Sequence, residues 1–77
     1  MTPRLPRRVY LVDRWITVNL VTPEAMRDVV GDHEPAEGAW DADTLTISLL
    51  ASLPPGRRHR VLGHELMHAL VDLLDRR

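Results

Sequence analysis

Residues 57–74 have the sequence RRHRVLGHELMHALVDLL, the longest stretch of the chain with helical periodicity. At 100° per residue, one face of such a helix carries five apolar residues, Leu62, Leu66, Ala69, Leu70 and Leu73. Met67, Val71 and Leu74 broaden this face, and Val61 falls on the opposite one. The stretch therefore predicts an amphipathic helix that packs on the rest of the domain through its leucines.

The opposite face carries His64 and His68, the two histidines of His64-Glu65-Leu66-Met67-His68, a complete HExxH pattern. Residues four apart lie on the same side of a helix, so both imidazoles can bind one ion. Glu65 lies about 100° around the helix from His64, which places its carboxylate beside the ion. There it can take a proton from metal-bound water and return it to a leaving amine. The pattern predicts one Zn²⁺ ion bound by His64 and His68, with Glu65 as general base.

The residues before this helix predict four strands and a short helix. Strands are expected at Arg8–Val12 and Trp15–Val21, either joined by a turn at Asp13-Arg14 or continuous as one long bent strand. Thr22 is expected to cap a short helix, Pro23–Val30, that ends at Gly31. Two further strands, Gly38–Trp40 and Thr44–Leu49, surround a turn at residues 41–43. The predicted fold class is α+β: a small mixed sheet of about four strands with a short helix and a C-terminal HExxH helix.

Length and composition bound the class of protein. The 77 residues allow a single domain, residues 1–77, in which residues 1–6 form a flexible arm. Because the chain has no cysteine, disulfides and thiolate metal sites are excluded. A net charge of −1 argues against a nucleic-acid-binding protein, and no apolar run reaches the roughly 18 residues of a membrane span. A cytoplasmic protein is expected.

Residues 38–72 resemble the zincin metallopeptidases. The predicted order is a strand, a turn, a second strand and a helix with the sequence RVLGHELMHA. This arrangement is similar to the ImmA/IrrE-type metallopeptidases of phages and mobile elements, and to the gluzincin branch. The resemblance implies a truncated zincin-like fold, in which His64 and His68 are zinc ligands and Glu65 is the general base. It also implies that Thr44–Leu49, with Thr46 and Ser48, is the edge strand that aligns a peptide substrate.

The third metal ligand is not at the family's position. Gluzincins take it from a glutamate on a later helix, whereas nine residues follow His68 here and none is a glutamate. Asp72 lies on the correct face but about 6 Å farther along the axis, so it is expected to accept a hydrogen bond near the site or to act as a charge at the helix end, with direct binding of the ion as the alternative. The remaining candidates are a second subunit and four loop residues, His33, Glu34, Asp41 and Asp43. His59 falls on the apolar side and is expected to pack or to cap.

These observations favour a zinc-dependent metallopeptidase acting on a peptide or protein substrate. The alternative is a non-catalytic zincin-like module that binds metal or a partner. A domain this small buries only about 60% of its unfolded surface, so a metal ion or a homo-oligomer is an expected source of stability.

Overall fold

The computed structural model describes residues 4–31 and 36–76. Its elements follow one another as β1 (Arg8–Leu11), β2 (Arg14–Val21), α1 (Pro23–Val30), β3 (Gly38–Asp41), β4 (Thr46–Leu50) and α2 (Pro55–Asp75). A four-stranded mixed sheet and two helices confirm the predicted α+β class. Neither α1 nor α2 has the length and apolar character needed to cross a membrane.

The sheet has the strand order β1-β2-β4-β3. β1 and β2 form an antiparallel hairpin, β2 and β4 are parallel, and β3 and β4 are antiparallel. The parallel pair is possible because α1 lies between β2 and β4 in the chain and carries it back across the sheet. Thr22 accepts a hydrogen bond from the Ala25 N–H at the start of α1, and Gly31 ends it with a φ of 86°.

α2 and α1 cover opposite faces of the sheet. The main core lies under α2 and consists of Ile16, Val18, Ile47, Leu49, Leu62, Ala69 and Leu73. α1 contacts β3 and β4, and its buried Met26 lies outside this core. Because side chains alternate along β4, the buried Ser48 faces away from Ile47 and Leu49, towards α1.

The predicted packing face of α2 is only partly correct. Leu62, Ala69 and Leu73 are buried, but four of the predicted face residues are exposed, namely Met67, Leu70, Val71 and Leu74. Val61, predicted on the outer face, packs against the core instead. The apolar arc of α2 is wider than one small sheet can cover, and the helix uses the side that also brings Glu65 inward.

The N-terminal hairpin differs from the prediction at its turn. Leu11 pairs with Arg14, so Val12 and Asp13 form the turn instead of Asp13 and Arg14. Val12 has a φ of 63°, which is strained for a β-branched residue. Leu5, placed by the sequence in a flexible arm, is partly buried against the core.

Candidate metal centre

The two histidines of the HExxH pattern converge on one point. His64 and His68 lie one turn apart on the exposed side of α2, and their Nε2 atoms are 3.0 Å from each other. Their rings meet edge to face, with centroids 4.6 Å apart. Because a zinc ion with Zn–N distances of about 2.0–2.1 Å holds two tetrahedral nitrogens roughly 3.3–3.4 Å apart, this pair needs to open by only a few tenths of an ångström. The donor atoms therefore fit two positions of a zinc site.

Glu65 is turned towards the sheet. Only 9% of the residue is exposed, although His64 directly before it is exposed. Its side chain reaches β3 at Gly38, where a Cβ atom would lie 3.1 Å from the Glu65 Cγ. Within residues 4–31 and 36–76, no hydrogen bond holds the Glu65 carboxylate. The stem is thus fixed by packing, while the carboxylate makes no hydrogen bond to these residues.

A cavity of about 280 Å³ lies between α2 and the start of β3. It is lined by Glu37, Gly38, Arg57, Arg60, Val61, His64 and Glu65. Arg57 donates from Nε and Nη2 to the two carboxylate oxygens of Glu37, at 2.9 and 2.6 Å. This hydrogen-bonded ion pair lowers the pKa of Glu37. One predicted ligand and the predicted base therefore share a polar cavity.

Asp72 joins α2 to β3. Trp40 donates from Nε1 to Asp72 Oδ2, and Arg76 donates from Nε to Oδ1, both at 3.0 Å. These two hydrogen bonds, that of Trp40 first, lower the pKa of Asp72. Both oxygens of the Asp72 carboxylate therefore accept a hydrogen bond.

Of the loop candidates for a third ligand, Asp41 and Asp43 lie at the β3–β4 turn and form no metal-binding group with the histidines. Asp41 accepts hydrogen bonds from the N–H groups of Asp43 and Thr44 at the tip of the β3–β4 hairpin, which gives it a role in the turn. His33 and Glu34 lie outside the described residues. Among residues 4–31 and 36–76, no three His, Cys, Asp or Glu side chains come together as a metal-binding group.

The predicted substrate edge is wrong. β4 lies between β2 and β3, so its backbone groups are paired on both sides and cannot align a peptide. Ser48 is buried, and the Thr46 hydroxyl donates to the Thr44 carbonyl oxygen. β3 is the edge strand beside α2. The strand that follows α1 in the chain is β3, so the order of the elements would favour β3 rather than β4 as the parallel partner of β2, and it gives no signal of the observed edge.

The lowered pKa values of Asp72 and Glu37 predict a loss of stability in acid. A carboxyl group whose pKa is lowered in the folded state stabilises the fold at pH values above its ordinary pKa. The ordinary pKa is 3.8 for Asp72 and 4.5 for Glu37. This stabilisation is lost as the pH falls through the lowered pKa of the folded state. The thermal midpoint of the wild type should therefore fall from about pH 4.5 downwards. Asp72→Asn should flatten the fall below pH 4, whereas Asp75→Asn, which removes an exposed carboxylate of the same helix, should not. Equal profiles for the two variants would contradict this assignment.

Comparison of the chain with protein families, with curated proteins and with solved structures finds no match to any of them.

Proposed function

We propose that the chain is a zinc-dependent metallopeptidase of the zincin type, with His64 and His68 as ligands of one Zn²⁺ ion. The observation that carries this proposal is the 3.0 Å approach of their Nε2 atoms beside a cavity that His64 and Glu65 both line. When bound, the ion would polarise the scissile carbonyl and lower the pKa of a bound water.

Glu65 is the proposed general base. Its stem is held between α2 and Gly38, so its carboxylate is positioned before substrate arrives. The carboxylate accepts the proton of the attacking water and returns it to the leaving amine. Arg60 lines the same cavity and makes no ion pair within the described residues, so its guanidinium can bind a substrate oxygen.

The edge of β3 that pairs with no other strand in the described part of the chain is the proposed guide for an extended peptide. Leu50 donates its N–H to the Glu37 carbonyl. In an antiparallel pair, every second residue forms hydrogen bonds with the neighbouring strand, so Ala39 and Asp41 bond to β4. Gly38 and Trp40 then direct their backbone groups outward. A peptide that added to this edge would lie beside the cavity and the histidine pair.

A second candidate function is a non-catalytic module in which two copies of the chain share one zinc ion. Structural zinc sites use four protein ligands, and each chain offers two histidines at the correct spacing. Beside them on α2, Met67 and Val71 are 68% and 57% exposed. In a two-fold arrangement these apolar side chains would meet around the shared ion, which would explain their exposure.

Zinc binding to metal-free protein tests both candidates. Removing a residue that only supports a metal ligand typically weakens metal binding by roughly 10–100-fold. His64→Ala removes a ligand itself, so in isothermal titration it should weaken zinc binding by more than this. His59→Ala is the matched control, because His59 lies in the same helix and uses Nδ1 to donate to the Pro55 carbonyl. Equal binding by wild type and His64→Ala would contradict the proposed site.

The stoichiometry separates the two functions. One ion per chain, with a sedimentation coefficient that zinc leaves unchanged, supports the peptidase. One ion per two chains, with zinc-dependent dimerisation, supports the module and contradicts a site completed within one chain.

A further inference from the structure

The first turn of α2 forms one wall of a second cavity, of about 490 Å³. The segment before β1 and the end of β2 form the others, and the lining residues are Arg4, Leu5, Arg7, Leu20, Pro55, Arg58 and His59. No residue of this cavity lines the one beside the histidine pair. Its volume lies within the range typical of small-molecule sites.

The charge of this cavity is unbalanced. Of residues 4–31 and 36–76, three arginines and a histidine line it and no carboxylate does. Three arginines outside the cavity, Arg14, Arg57 and Arg76, each form an ion pair with an acidic side chain, whereas Arg8, Arg27 and Arg60 form none among residues 4–31 and 36–76. Within residues 4–31 and 36–76, the three cavity arginines have no such partner. Positive groups thus converge here although the chain as a whole has a charge of −1.

Arg58 adds an unsatisfied donor to this cluster. Its Nη2 donates to the Ala51 carbonyl oxygen at 2.6 Å, which holds the guanidinium in place. Its Nε is buried and has no hydrogen-bond partner among the described residues. An unpaired buried donor is costly, and a cationic one more so.

The start of α2 increases the positive potential. Pro54 caps the helix without a side-chain hydrogen bond, and the first turn contains no acidic residue. The positive end of the helix dipole is therefore not compensated by the chain itself.

We propose that this cavity binds a phosphate-bearing small molecule. Guanidinium groups match phosphate oxygens with paired, charge-assisted hydrogen bonds, and several of them suit a dianion. His59 uses Nδ1 on the Pro55 carbonyl, which leaves Nε2 for a ligand. Leu5, Leu20 and Pro55 supply an apolar wall for the body of the molecule.

Calorimetric titration with inorganic phosphate and with adenosine monophosphate, at low salt and without zinc, tests this site. Both anions should bind the wild type. Arg7→Gln should weaken binding by about 10-fold or more, as expected for a lost charge-assisted hydrogen bond. This variant keeps the fold, because Arg7 is exposed and pairs with Val18 through its backbone carbonyl. Arg27→Gln, which removes an exposed arginine of α1 outside the cavity, should change nothing.

Three results would overturn the proposal. The first is no binding of either anion at millimolar concentration. The second is equal weakening by Arg7→Gln and Arg27→Gln, which would indicate attraction to the surface in general. The third is tighter binding of a single-stranded oligonucleotide with a steep salt dependence, which would indicate a nucleic-acid surface instead.

Discussion

Replacing Glu65 by glutamine is expected to lower peptidase activity by about 10²–10⁴-fold, the usual contribution of general acid–base catalysis. Glutamine keeps the volume that packs on Gly38 but cannot accept the proton of the attacking water. Zinc affinity should stay within a few-fold of the wild type, because the ligands His64 and His68 are untouched. The measurement is hydrolysis of a pool of fluorescence-quenched peptides by zinc-loaded protein.

Two comparisons make this result specific to Glu65. Glu24→Gln removes an exposed carboxylate at the start of α1 and should leave hydrolysis unchanged. Equal thermal midpoints for Glu65→Gln and wild type would show that the fold is intact. Hydrolysis by Glu65→Gln at the wild-type rate would rule out Glu65 as the base. A zinc-loaded wild type that cleaves no peptide would instead favour the two-chain module.

Local signals in the sequence predict the helices well. Thr22, Pro23 and Gly31 each act on neighbouring backbone groups, and α1 has the predicted bounds Pro23–Val30. The periodic stretch 57–74 also forms a helix, which begins two residues earlier and ends one later. The HExxH spacing predicts the convergence of His64 and His68, because the geometry of one helical turn is sufficient for it.

The non-local features of the site could not be derived from these signals. Whether β4 is an edge depends on which strand it meets, and the parallel pair with β2 joins residues about 29 apart in the sequence. The Trp40–Asp72 hydrogen bond joins residues 32 apart. The inward rotation of Glu65 depends on which part of a wide apolar face α2 buries. These features are consequences of tertiary packing, and they decide the environment of the candidate base.

Gly38 is the position where this packing is tightest, and Gly38→Ala is expected to destabilise the fold by about 1–3 kcal/mol. An added Cβ would lie 2.6 Å from Val61 Cγ1, 3.1 Å from Glu65 Cγ and 3.2 Å from Leu49 Cδ2. Val61 is β-branched and has few rotamers available on a helix, so it cannot simply turn away. The clash must be relieved by separating β3 from α2. Thermal or urea unfolding measures the effect, which for a domain of this size is several degrees in the thermal midpoint.

The same substitution at Gly63 is the matched control with the opposite sign. A Cβ at Gly63 meets no atom within 4 Å, and alanine in an exposed helix interior is more favourable than glycine by about 0.8–1.0 kcal/mol. Gly63→Ala should therefore stabilise the chain. If Gly38→Ala stabilised it as well, the close approach of β3 to α2 would be contradicted.

Val61→Ala provides the test of mechanism, since it removes the atom that the new Cβ would strike. Alone, it should cost stability because it opens a small cavity against the core. Combined with Gly38→Ala, it should cost less than the sum of the two single changes, because the new methyl group occupies the space that Val61 leaves. Additive losses would show that the strain arises elsewhere. In the double variant, Glu65 Cγ would still lie 3.1 Å from the Cβ added at Gly38. If the double variant is more stable than Gly38→Ala but its peptidase activity does not recover, the position of the base depends on the backbone of β3.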